Sequence, residues 1–235
     1  MTERIAQNLS SRPDINEVDA RIICRASPFT MTGLERLAAL IDSVRYVCNH
    51  EIEGDIVECG VWRGGSIIAA ALTLIDIGVS DRHLYLYDTF EGMSEPDDKK
   101  DVSFDGFLAS ELLNKEVRGK GIWCEASLDD VKENVLRTGY PEDHVHFIKG
   151  RVEDTLPSLM PKKIAILRLD TDWYESTLHE LKYLYPLISR QGILIIDDYG
   201  HWKGARAACD EFFGELPDSP MLMRIDYSGR IAQIC

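Results

Sequence analysis

Ile164-Ala165-Ile166-Leu167-Arg168-Leu169-Asp170 and Gly192-Ile193-Leu194-Ile195-Ile196-Asp197-Asp198 are two apolar runs, each cut off by carboxylates. Neither alternates between polar and apolar residues, so neither reads as a strand with one face in water. A strand buried on both faces has this signature, and such strands occur in parallel sheets covered by helices on both sides. Working outward, Ile56–Cys59, His83–Asp88 and Val145–Lys149 repeat the pattern. Helical periodicity fills the gaps over Ser66–Asp76, Leu128–Arg137, Ser176–Tyr185 and Gly204–Gly214. The tail, Met221–Tyr227 then Arg230–Ile234, reads as a hairpin turning at Ser228-Gly229. Five alternating strands with right-handed crossovers plus this hairpin predict a doubly wound α/β fold with a mostly parallel, seven-stranded sheet.

Upstream, Leu34, Leu37, Ala38, Ile41 and Val44 recur at helical spacing from near Thr32. Residues 1–52 are therefore expected to form an N-terminal helical segment ahead of a core spanning 53–235. The stretch from Ser94 to Gly121 is charged and punctuated by glycine, and it reads as a mobile lid over the core.

The 235 residues carry 26 Lys plus Arg against 40 Asp plus Glu, a formal charge of −14. That balance argues against nucleic acid and against an anionic membrane surface, both of which demand clustered cations. The longest apolar run, Ile67–Ile75, is too short to span a bilayer. Six scattered cysteines contain no C-x-x-C pair, and the opening Met-Thr-Glu-Arg-Ile lacks the apolar stretch of a secretory signal. The expectation is a reduced, cytoplasmic protein.

Ligands of doubly wound folds bind at the carboxyl ends of the strands. The first such end is Glu58-Cys59-Gly60-Val61-Trp62-Arg63-Gly64-Gly65-Ser66. Its G-x-x-x-G-G spacing fails both the dinucleotide fingerprint and the P-loop, which counts against the rival reading of an NAD-dependent oxidoreductase. Glycine there lets a ligand approach bare backbone, and Ser66 is placed to cap the next helix. Asp88 ends the second strand, where a carboxylate can grip a ribose diol. Beyond the third strand, Gly150-Arg151-Val152-Glu153-Asp154 offers an acid for a purine amine. Together Glu58, Gly60, Gly64, Ser66, Asp88, Gly150, Glu153 and Asp154 read as the S-adenosylmethionine site of a class I methyltransferase.

The fourth and fifth strands should be neighbours, so Asp170, Asp172, Asp197 and Asp198 converge. Adjacent aspartates at strand ends also cap helices. Two such clusters on adjoining strands point instead to a hard divalent cation, which relieves their mutual repulsion. Retention of such charges also argues against a non-catalytic, methyltransferase-like binding module.

The stretches Asp88-Thr89-Phe90-Glu91-Gly92-Met93, Leu169-Asp170-Thr171-Asp172-Trp173-Tyr174-Glu175-Ser176-Thr177 and Ile196-Asp197-Asp198-Tyr199-Gly200-His201-Trp202 resemble those of the macrocin O-methyltransferase family. The resemblance runs from about Glu53 to Ile234. It implies a metal-dependent enzyme that methylates a hydroxyl of a glycosylated natural product, working as a homo-oligomer. By position it assigns Asp170, Asp197 and Asp198 as Mg²⁺ ligands and Asp172 as general base, with Glu58, Gly60, Asp88 and residues 150–154 holding the cofactor. His201 competes for the role of base, since imidazole titrates near neutrality. Trp62, Trp173, Tyr199 and Trp202 stand beside these residues as candidate pocket walls or plain packing, and Ser176 is a candidate helix cap.

Overall fold

The computed structural model describes residues 9, 12–115 and 123–235. Among them, α1 (Glu17–Ala26) and α2 (Leu34–Asn49) precede β1 (Asp55–Cys59), α3 (Gly65–Asp76), β2 (Leu84–Asp88), α4 (Ala109–Lys115) and α5 (Leu128–Leu136). Then follow β3 (Val145–Lys149), α6 (Val152–Thr155), β4 (Ile164–Leu169), α7 (Tyr174–Leu184), β5 (Ile188–Ile196), α8 (Lys203–Gly214), β6 (Met223–Arg224) and β7 (Arg230–Gln233).

The seven strands form one sheet in the order β3-β2-β1-β4-β5-β7-β6. All pairings are parallel except those of β7, which runs antiparallel to both β5 and β6. The expected doubly wound, mostly parallel sheet is present. Strand alternation feeds two cores. Ile56, Ile166, Ile193 and Ile195 pack on the side of α1, α2, α3 and α5. Val57, Leu167, Leu194 and Ile196 point the opposite way, toward α6, α7 and α8. Since the central strands β1 and β4 are buried on both faces, they could not carry the polar alternation that would have marked an open sheet.

Of the boundaries that differ from the sequence reading, three bear on the site or the core. β5 begins at Ile188, ahead of Gly192, because the register shifts between Ile164 and Ile166 and polar Ser189-Arg190-Gln191 extends the strand. Helix α3 starts at Gly65 with Gly64 as its cap residue, in the left-handed conformation, so Ser66 lies inside the helix and caps nothing. Likewise α7 begins at Tyr174, and the Ser176 hydroxyl donates to the Trp173 carbonyl at 3.2 Å. Helix α1 lies within the expected N-terminal helical segment, ahead of the periodic stretch from Thr32. Asn16 caps it by accepting from the backbone N–H groups of Val18 and Asp19.

The segment read as a lid is pinned through residue 115. Asp101 is buried and accepts from the Asp97 and Tyr174 backbone amides. Ser103 bridges to Trp202, and α4 packs Ala109 and Leu113 against Trp173 and Trp202. Residues 116–121 of that stretch lie outside the described residues. No described helix is long and apolar enough to cross a membrane.

Candidate active site

Strand order reverses between β1 and β4, and the carboxyl ends of these strands open into a cavity of about 350 Å³. Glu58, Gly60, Ser66, Asp88, Gly150, Glu153, Asp170, Asp172, Asp197, Asp198 and His201 all line it. Gly64 and Asp154 do not. Gly64 turns the chain into α3 at φ 89°, where an added Cβ would sit 2.8 Å from Val135. Asp154 is exposed, because the single turn of α6 points Glu153 inward and the next residue outward. Tyr199 also faces away. Its hydroxyl donates to Asp210 at 2.6 Å, and its ring lies under Arg206 and Arg230.

One half of the cavity is shaped by the main chain. The Asp88 carboxylate accepts from the N–H groups of Val61 at 2.6 Å, Trp62 at 3.0 Å and Phe90 at 2.7 Å. Gly60, at φ 81°, lies so close to β4 that a Cβ would approach the Asp170 carbonyl oxygen to 2.0 Å. Only glycine fits there. Glu58 is buried, and one of its carboxylate oxygens, Oε2, has no partner. Burial pushes its pKa up to about 7 against the opposing pull of Arg168. Ser66 lies beside this carboxylate. An unsatisfied buried acid facing a cavity suits a cationic ligand group, and the amino-acid end of S-adenosylmethionine supplies one.

The other half is held by side-chain charge. Asp170, Asp197 and Asp198 each offer an oxygen within 4.8 Å of the others, and Asp198 Oδ2 is buried without a partner. That donor set of three hard oxygens fits a divalent cation. Asp172 is in hydrogen-bond contact with Asp198 and Trp202, and burial, with Asp170 nearby, pushes its pKa up to about 7. Two carboxyls in such contact share a proton. Desolvation likewise raises Asp170 and Asp198.

Two arginines absent from the sequence reading complete this half. Arg168 is buried within β4 and donates to Glu58 and Asp170, each at 2.6 Å, to Thr32 at 2.9 Å, and to Asp197. Arg36 of α2 donates to Asp197 and, at 3.0 Å, to Asp226. The signal for Arg168 was visible: a cation inside an apolar parallel strand must find buried acids. Arg36 left no such trace, since arginine is ordinary on an amphipathic helix. Glu180 was also missed. It is fully buried on α7 and accepts from the Thr171 hydroxyl at 3.0 Å, fixing the turn between Asp170 and Asp172.

His201 lies at the cavity mouth. Its Nδ1 is 3.1 Å from the Tyr227 hydroxyl, and desolvation lowers its pKa, favouring the neutral ring. Trp62, Trp173 and Trp202 line the cavity, the latter two in edge-to-face contact at 5.0 Å. Positive φ angles at Trp62 (46°), Phe90 (51°), Cys124 (48°) and Asp172 (66°) gather around the same space. Such strain persists where surrounding structure imposes it, and functional sites are its usual location.

A seven-stranded sheet of this order, with acids and glycines ringing the switch point, defines a class I methyltransferase. A family model described as macrocin O-methyltransferase matches residues 7–231. The match takes in the N-terminal helical segment, which the quoted motifs had left outside. The chain therefore belongs to the macrocin O-methyltransferase family and is an S-adenosylmethionine-dependent O-methyltransferase. It is 36% identical over 219 residues to 8-demethyl-8-(2,3-dimethoxy-alpha-L-rhamnosyl)-tetracenomycin-C 4'-O-methyltransferase of Streptomyces olivaceus, covering 91% of this chain and 79% of that one. It is 33% identical to demethyldecarbamoylnovobiocin O-methyltransferase of Streptomyces niveus, covering 87% and 75%. The solved structure of the O-methyltransferase NovP superposes with a TM-score of 0.75 at 33% identity, over 88% of this chain and 82% of that one.

Proposed function

We propose that this enzyme methylates a sugar hydroxyl of a glycosylated natural product, in a Mg²⁺-dependent reaction of antibiotic biosynthesis. The relatives support the acceptor class, since their names specify methylation of a rhamnosyl tetracenomycin and of a novobiocin precursor. The observation that carries the metal is the trio Asp170, Asp197 and Asp198 with the unpartnered Asp198 oxygen.

Each residue has a physical task in this reading. Glu58 takes the cofactor's ammonium on its free oxygen. Asp88, oriented by three backbone amides, presents its remaining lone pairs to the ribose. Gly60 and Gly150 keep the floor clear, and Glu153 faces the adenine amine. Asp170, Asp197 and Asp198 would hold Mg²⁺, whose charge would lower the pKa of a bound hydroxyl. With cofactor and acceptor bound, Asp172 would accept the hydroxyl proton at its carboxylate during displacement of the methyl group from sulfur to the acceptor oxygen. Trp62, Trp173 and Trp202 restrict water around that displacement. His201, in contact with the Tyr227 hydroxyl, stands as the second proton acceptor near the mouth.

The six cysteines are free, in keeping with a reducing cytoplasmic setting. The homo-oligomeric state rests on the family resemblance and is read by sedimentation. Titration calorimetry with S-adenosylhomocysteine, with and without Mg²⁺, tests the core of the reading. Cofactor binding with a separate Mg²⁺ isotherm is expected. Turnover on candidate glycosides that is unaffected by a chelator removes the metal.

A further inference from the structure

Three large apolar side chains stand exposed around the cavity mouth: Met31 at 55%, Phe104 at 58% and Tyr227 at 52%. Phe104, His201 and Tyr227 touch one another, with ring centroids 5.5, 6.0 and 5.9 Å apart. They come from three separate parts of the chain, yet main-chain bonds fasten them together. The Phe104 N–H donates to the His201 carbonyl at 2.8 Å, and the Gly200 N–H donates to the Ser228 carbonyl at 2.9 Å. Gly200 packs so tightly that a Cβ would meet the Tyr227 carbonyl oxygen at 1.9 Å. A rigid, water-exposed aromatic cluster is unfavourable unless something covers it, and rigid aromatics are the usual anchors of recognition surfaces. His201, Tyr227 and Met31 also line the cavity, so this rim continues directly into the site.

Space decides what rests there. About 350 Å³ is near the lower end for a ligand site, and this cavity must take both the cofactor and the reacting ring. The remainder of the acceptor has to lie outside. We infer that the Phe104–His201–Tyr227 rim binds an aromatic aglycone attached to the reacting sugar, and so sets acceptor specificity. The inference rests on the glycoside reading above. Planar rings gain offset-stacked or edge-to-face contact with such a rim in addition to burying area. The acidic aspartates below engage hydroxyls and offer an apolar ring nothing, so the two ends of the acceptor are sorted by chemistry.

The test uses two probes that share one sugar, 4-nitrophenyl α-L-rhamnopyranoside and methyl α-L-rhamnopyranoside. Their affinities for the full chain, saturated with S-adenosylhomocysteine and Mg²⁺, are read by saturation-transfer NMR. The aryl glycoside is expected to bind about tenfold more tightly, one such contact's worth of free energy. Phe104→Ala and Tyr227→Ala should each cut that preference to about threefold or less, with S-adenosylhomocysteine affinity unmoved. Tyr227→Phe, which keeps the ring, should retain it. Equal binding of the two glycosides, or a preference that survives both alanine variants, overturns the rim. Binding of neither glycoside, with S-adenosylhomocysteine still bound, overturns the sugar-acceptor reading and the rim with it.

Discussion

Asp88 and the metal-site aspartates, at opposite ends of the cavity, are held by opposite means, with Arg168 bridging the two ends through Glu58. Asp88 is set by three backbone amides, whose positions follow from β1, β2 and the turn leading to α3. Asp170 and Asp197 are set by the guanidinium groups of Arg168 and Arg36. Main-chain donors are fixed once the sheet forms. Side-chain cations can shift when another cation arrives. Asp88 is thus preorganised by the fold, while the aspartate cluster is held by side-chain cations that leave it an excess of negative charge able to accept a metal.

Substitution can break this contrast at several levels. The largest effect is expected for Asp198→Asn, which should abolish metal-dependent methyl transfer and leave calorimetric S-adenosylhomocysteine affinity within about twofold. Normal turnover by that variant would mean the cation half is misassigned. Asp172→Asn removes the proton acceptor and should slow transfer about 10²- to 10⁴-fold at unchanged Mg²⁺ affinity. Undiminished rates would hand the role to His201. Gly60→Ala drives a Cβ into the Asp170 carbonyl, where the two halves meet. It should cost about 3 kcal/mol in denaturant unfolding and disturb both ligands together.

The smallest effect concerns pH. Glu58 is mostly protonated at pH 6 and mostly ionised at pH 8, since its pKa is raised from 4.5 to about 7. A cationic group prefers the ionised form, so S-adenosylhomocysteine affinity should rise about tenfold across that interval. Glu58→Gln should flatten the curve, and an unchanged slope in that variant would place the titrating group elsewhere.

The fold was legible because uninterrupted apolar strands and periodic helices are local properties. The places where the reading slipped have local causes too. Ser189-Arg190-Gln191 hid the start of β5 behind polar side chains, and glycine rather than Ser66 capped α3. At the site, residues ending strands could be placed by rule, so all four aspartates came together as expected at one cavity. Asp154 did not, because the outcome depended on the direction of a single helical turn. Arg36 and Glu180 lay beyond reach. Their roles follow from which helix face meets which strand, and that is settled only by tertiary packing.

The Arg36 contacts span 161 residues to Asp197 and 190 to Asp226, and Arg168 reaches 136 residues back to Thr32. Contacts so distant in sequence close late, since the intervening chain must be ordered first. As the chain leaves the ribosome, β1, β2 and the turn holding Asp88 can settle before Asp197 is made to pair with Arg36 and Arg168. Partial neutralisation of the aspartates by Arg36 and Arg168 is therefore a property of the finished chain. A fragment lacking residues 30–36 would keep the aspartates but lose Arg36, one of the two guanidinium groups that hold Asp197.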